Sequence, residues 1–154
     1  MGDKRARKRF AVFLFNAKKA KLKVRREKME KKRILIVEDA AYMREMLTEM
    51  LAQEKDRYEV VDYAVNGKEA VEKYKEQKPD LVTMDLAMEV MDGIQAIIEI
   101  KKHDPNALII AITALGTPEQ KSAALDAGAG EYLWKPFTIR NLFDALERLQ
   151  RKSE

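Results

Sequence analysis

The sequence predicts an α/β fold: a doubly wound parallel sheet of five strands with helices on both faces. Three observations carry that expectation. Five short apolar runs, most of them rich in β-branched residues, alternate with five stretches of helical apolar spacing. The connections between them are short, which implies right-handed strand–helix–strand crossovers. Good capping residues stand where four of the five helices should begin.

Taken in order, Ile34-Leu35-Ile36-Val37 is the first strand, apolar on both faces as a buried parallel strand requires. Met43, Met46, Leu47, Met50 and Leu51 then fall at i, i+3, i+4, i+7 and i+8, one face of a helix. Val60-Val61 marks the second strand, and Ala70, Val71 and Tyr74 line the second helix. Leu81-Val82-Thr83-Met84 is the third strand, and Ile94, Ile97 and Ile98 make the third helix. Leu108 to Ile112 is the fourth strand. Residues 118–127 form a fourth helix, Ala-rich and weakly apolar, which suits a face that moves. Tyr132-Leu133-Trp134 is the fifth strand, and Leu142, Ala145, Leu146 and Leu149 complete the fifth helix.

Helix ends support this order. Asn66, Asp92, Thr117 and Thr138 are N-cap residues, and the first three have Glu69, Gln95 and Gln120 at capping-box spacing. Pro118 takes the favoured first helical position, and Gly128 is placed to end the fourth helix.

Composition narrows the function. At 154 residues and 46% hydrophobic, the chain can bury a real core. The absence of Cys excludes a disulfide scaffold and a thiolate zinc site, and fits a reducing cytosol. No apolar run approaches the roughly 18–20 residues of a membrane span. Phe10 to Phe15 is too short for a signal peptide and lacks a cleavage site. No phosphate-binding loop is present, and Gly128-Ala129-Gly130 is not a dinucleotide fingerprint. His103 stands alone near a Lys-rich helix end, where it is expected to face solvent and to favour the helix C-terminus. The charge is split. Residues 1–33 hold fifteen Lys/Arg against three Asp/Glu, whereas residues 34–154 hold fifteen against twenty-three.

In a doubly wound sheet, ligands bind outside the carboxyl ends of the strands. The first strand ends in Glu38-Asp39, the third in Asp85, the fourth in Thr113-Ala114 and the fifth in Lys135-Pro136. Three carboxylates, one hydroxyl and one ammonium therefore meet at one rim. Three adjacent carboxylates need a raised pKa or a cation, and oxygen-only ligands suit Mg²⁺ more than Zn²⁺. A carboxylate beside such a metal can attack a phosphoryl group and form an acyl phosphate. Singly, each residue has a plainer use: Glu38-Asp39 as a helix cap, Asp85 in a turn, Thr113 in the core, Lys135-Pro136 as a strand end, and Tyr132 and Trp134 in packing.

These motifs resemble the receiver domains of two-component response regulators, and most of all their single-domain chemotaxis members. The resemblance covers Ile34 to Leu149. It rests on Ile34-Leu35-Ile36-Val37-Glu38-Asp39, Met84-Asp85-Leu86 with Met91-Asp92-Gly93, Ile112-Thr113-Ala114, Tyr132, and Lys135-Pro136-Phe137. It implies a flavodoxin-like (βα)5 sheet of order 2-1-3-4-5 over residues 31–151. Asp85 would be the phosphoacceptor. Asp39, Asp85 and the backbone carbonyl of Ala87 would bind Mg²⁺, with Glu38 acting through a water. Thr113 and Lys135 would stabilise the phosphoryl group, Lys135-Pro136 would be cis, and Tyr132 would turn inward. The output face would be the fourth helix, fifth strand and fifth helix, with Trp134 on or near it.

The implied function is that of a stand-alone regulator in the cytoplasm, phosphorylated by a sensor histidine kinase and acting on a flagellar motor switch protein or another protein. It would be no enzyme beyond assisting its own phosphorylation and dephosphorylation. A monomer is expected, with no nucleic-acid partner. The alternative is a phosphorelay intermediate that passes its phosphate to a histidine phosphotransfer protein. A third, weaker reading is a nucleic-acid-binding receiver that acts through its basic head. After Leu149 too little chain follows for an output domain.

Three positions depart from or tune the pattern. Glu89 stands where the family usually has Pro, and Ala87 and Leu115 occupy positions that tune hydrolysis. Neither can hydrogen-bond an attacking water, so slow loss of phosphate is expected. Residues 1–30 are read as a basic extension, disordered or helical. Phe10, Phe13, Leu14 and Ala17 would share one face of a helix, suiting a membrane interface or a partner-binding arm. The plainer expectation is a misassigned start or a tail. Met29-Glu30-Lys31-Lys32 is a natural beginning, and Arg25-Arg26-Glu27 can be encoded as a ribosome-binding sequence.

Overall fold

A computed structural model describes residues 2–114 and 116–153, with the side chains of residues 24–29 outside the description. Two compact units make up the chain, Met1–Lys31 and Lys32–Glu154. In the first, Lys4–Met29 forms helix α1.

The second unit alternates strand and helix throughout: β1 (Lys32–Val37), α2 (Ala41–Ala52), β2 (Tyr58–Ala64), α3 (Gly67–Gln77), β3 (Leu81–Asp85), α4 (Gly93–His103), β4 (Ile109–Thr113), α5 (Pro118–Ala127), β5 (Glu131–Trp134) and α6 (Ile139–Arg151). All strand pairs are parallel, in the order β2-β1-β3-β4-β5. This is the order the resemblance implies.

Strand alternation divides the core in two. Leu35, Val37, Val82, Met84, Ile109 and Ala111 pack under α3, α4 and α5. Ile34, Ile36, Leu81, Ile110 and Ile112 pack under α2 and α6. Each of β1, β3 and β4 is therefore buried on both sides, which is why those runs are almost wholly apolar, with Thr83 of β3 as a buried polar residue among them. α5 buries only Ala124, as its Ala-rich sequence predicts, and its Leu125 is exposed.

The four predicted caps form. Asn66, Asp92, Thr117 and Thr138 accept from the backbone N–H groups of Glu69, Gln95, Gln120 and Asn141. The reciprocal capping box lies at Thr138, where Asn141 Oδ1 accepts the Thr138 N–H at 3.0 Å. Asn141 falls outside the Glu/Gln pattern used to look for that motif. Among the described residues no helix is long and apolar enough to cross a membrane.

Candidate functional site

The order 2-1-3-4-5 makes β1 neighbour to both β2 and β3, so the winding direction reverses there and leaves a crevice at the strand C-termini. Two strands deliver acids to it. Glu38 and Asp39 follow β1, and Asp85 closes β3. One oxygen from each lies within 4.8 Å of the others. Glu38 and Asp85 are buried, whereas Asp39 is exposed.

The β1 side is held by backbone contacts. The Glu38 N–H donates to the Ala64 carbonyl at 2.9 Å. Arg44 Nη1 donates to the carbonyls of Glu38 and Asp39 at 2.9 and 3.0 Å, fixing the bend that presents both acids. The N-cap of α2 is Ala40, which has no side-chain capping bond; its N–H donates to Glu38 Oε1 at 3.2 Å. No sequence motif marks Arg44, whose role depends on where a helix turn returns its guanidinium.

On the β3 side, Asp85 Oδ1 accepts the Ala87 N–H at 3.3 Å. The following loop is closely folded. A Cβ on Gly93 would collide with the Asp85 carbonyl, so only glycine permits this approach. The Gly67 N–H ties the loop to α3 through the Met91 carbonyl at 3.0 Å. Val90 and Met91 both take positive φ, 52° and 72°. Glu89 is exposed in this loop, and Leu115 lies outside the described residues.

β4 and β5 bring the remaining groups. Thr113 is fully buried, and its carbonyl accepts the Lys135 N–H at 2.9 Å. Lys135 Nζ lies 2.6 Å from Glu38 Oε2 and 3.8 Å from Asp85 Oδ1. The Lys135–Pro136 bond is cis. Tyr132 and Trp134 share one side of β5, their rings 5.8 Å apart and nearly perpendicular. Trp134 is 48% exposed, and Lys121 Nζ sits 5.5 Å over its indole, a contact the sequence did not signal. His103 ends α4, about 15 Å along the helix from Gly93, exposed and edge-on to Tyr74.

Burial pushes the Glu38 carboxyl up to about 7; the Lys135 hydrogen bond opposes the rise and the Asp85 charge adds to it. Burial raises Asp85 as well, against the Lys135 charge and the Ala87 N–H. Two of the three carboxylates, those of Glu38 and Asp85, thus share one ammonium. The cluster contains oxygen donors and no His or Cys, a set that fits a hard divalent ion such as Mg²⁺.

The model for response regulator receiver domains matches residues 34–147. The chemotaxis protein CheY of Thermotoga maritima is 50% identical over 120 residues, 78% of this chain and 98% of that protein. CheY of Bacillus subtilis is 48% identical over 116 residues, 75% and 95% of the two chains. Among solved structures, the receiver domain of Thermotoga maritima CheB matches with a TM-score of 0.71 and 33% identity, covering 80% of this chain and 97% of its own. The CheX–CheY–BeF3–Mg²⁺ complex of Borrelia burgdorferi matches with a TM-score of 0.71 and 32% identity, covering 79% and 88%. Fold, acid cluster and sequence agree, and the chain belongs to the response regulator receiver family.

Proposed function

We propose that this chain is a phosphorylation switch in chemotaxis signalling. The observation that carries the reading is the gathering of Glu38, Asp39 and Asp85 beside Lys135 at the switch point of the sheet. Asp85 is the phosphoacceptor. Its carboxylate oxygen attacks the phosphorus of a phosphohistidine on a sensor kinase. The O–P bond forms as the P–N bond breaks, and the electron pair leaves with the imidazole nitrogen.

Asp39, Asp85 and the Ala87 carbonyl would hold Mg²⁺, with Glu38 reaching it through a water. When bound, the ion neutralises charge on the transferring oxygens. Lys135 exchanges Glu38 for the phosphoryl oxygens, and the Thr113 hydroxyl donates to them. Tyr132 then turns inward, which shifts the population of two states of the face made by α5, β5 and α6. Trp134 and Lys121 lie on that face, and few apolar contacts hold α5.

The output is binding to a protein, with a flagellar motor switch protein as the first candidate. The likeness to CheY proteins, and to one solved in complex with CheX, supports a protein partner. The reading places the chain in the cytoplasm, with no substrate beyond the phosphoryl group.

Intact-mass measurement after incubation with acetyl phosphate tests it. One phosphoryl group should appear only with Mg²⁺ present and should be absent from Asp85→Asn. Fluorescence of Trp134, the single tryptophan, should change in parallel. An unmodified wild type under these conditions defeats the reading.

A further inference from the structure

Helix α1 supplies no residue to the acid cluster, and it is the most strongly basic element of the chain. Its 26 residues hold twelve Lys/Arg and one Glu. Ala6, Phe10, Phe13, Leu14, Ala17 and Ala20 follow at i, i+4, i+7, i+8, i+11 and i+14, an apolar stripe about 120° wide. Phe10 and Phe13 are 62% and 67% exposed, and Leu14 is 49% exposed. Arg5, Lys8, Lys19 and Lys23 occupy the opposite side, among the exposed Val12, Phe15 and Leu22. Among the described residues of its unit, α1 is the single element, so nothing within that unit covers the stripe.

We propose that α1 is an anchor for anionic membrane surfaces. The helix lies in the plane of the interface, with Phe10, Phe13 and Leu14 inserted at the headgroup–acyl boundary. The lysines and arginines reach back to lipid phosphates, and Arg7, Arg9 and Lys18 at the edges of the stripe, with Lys21 within it, snorkel. Charge complementarity selects an anionic surface, because α1 carries one acid among its cations. The exposed phenylalanines select a bilayer over a nucleic acid, since phosphate contacts alone make no use of them. Two such helices side by side would place like charge against like, which disfavours a second copy of α1 as the cover.

Co-sedimentation of the full chain with vesicles tests the anchor. Vesicles containing phosphatidylglycerol should bind it at least tenfold more tightly than pure phosphatidylcholine. Added salt should weaken binding without abolishing it. A Phe10→Ser, Phe13→Ser variant keeps every charge and should lose at least tenfold in vesicle affinity, with its Trp134 spectrum unchanged. Titration with duplex DNA separates the alternative. Vesicle binding that is equal for variant and wild type overturns the proposal, as does DNA binding that is tighter than vesicle binding. An intact mass of the native protein corresponding to a chain beginning at Met29 also overturns it.

Discussion

Lys135 Nζ stands 2.6 Å from Glu38 Oε2 but 3.8 Å from Asp85 Oδ1, so in the resting site the ammonium is engaged by the acid that is not the proposed acceptor. Glu38 therefore holds the cation in reserve. Transfer to a phosphoryl group requires that Glu38 release it, and a divalent ion that takes over the charge of the cluster makes the release possible.

The first prediction concerns pH. The folded-state pKa of Glu38, about 7, lies above its ordinary value of 4.5, so the folded protein keeps a proton that the unfolded chain gives up between those values. Stability contributed by that proton is present below pH 4.5 and is lost as pH rises through 7. Asp85 is shifted in the same direction. In EDTA, the Tm should fall between pH 5 and pH 8, and Glu38→Gln should flatten the fall. Mg²⁺ should oppose it, because the ion binds the ionised carboxylates. Thermal melts across this range, with and without Mg²⁺, are the check.

Arg44 holds the carbonyls of both acids from α2. Arg44→Ala should leave the fold intact but loosen the bend, weakening Mg²⁺ affinity about 10–100-fold, as loss of a group supporting metal ligands typically does. Titration of Trp134 fluorescence with Mg²⁺ would measure it, with urea unfolding as the control for stability.

The Thr83 hydroxyl is buried in the sheet centre with no hydrogen-bond partner. Val has nearly the same shape and nothing to satisfy. Thr83→Val should raise stability by about 1 kcal/mol in urea unfolding, since a buried unpaired polar group carries a desolvation cost of roughly 1–3 kcal/mol.

Val90 takes a φ of 52°, a region that β-branched residues rarely enter, while its side chain is exposed and contributes little packing. Val90→Asn should stabilise the protein by about 1 kcal/mol, because Asn tolerates the left-handed region. A Tm that rises without loss of phosphorylation would show the strained loop to be dispensable for the chemistry.

Ala87 is exposed beside Asp85 and has only a methyl group to offer. Once phosphorylated, the protein should lose its phosphate slowly. Ala87→Asn should speed the loss on the order of tenfold, by supplying a group that orients water. Decay followed by intact mass decides this, and a rate unchanged by Asn would remove Ala87 from the account.

Much of this was legible in the chain. The runs that became β1, β3 and β4 are apolar on both faces, which leaves few alternatives to a buried parallel strand. The acids are legible as the residues that follow the ends of the first and third strands. The sequence marks β2 only at Val60-Val61, whereas the strand runs from Tyr58 to Ala64 with Glu59 exposed. As an edge strand it needs no second apolar face. Its register also shifts between Ile34 and Leu35 of β1, which skips Val61, and pairing of that kind is a property of two strands together. Arg44 and Lys121 were illegible for the same reason. Each acts on atoms distant in sequence or on backbone, where no side-chain pattern records the contact.

β5 is only four residues long and, among the described residues, pairs on one side alone. Pro136 follows two positions after its last residue and offers no N–H. Another chain laid alongside as an extra strand would find too little backbone to pair with. The edge is thus poorly suited to strand addition, and the fibre growth that a longer edge invites is denied it. Recognition there falls to side chains, which a change of rotamer can rewrite while the sheet stays as it is.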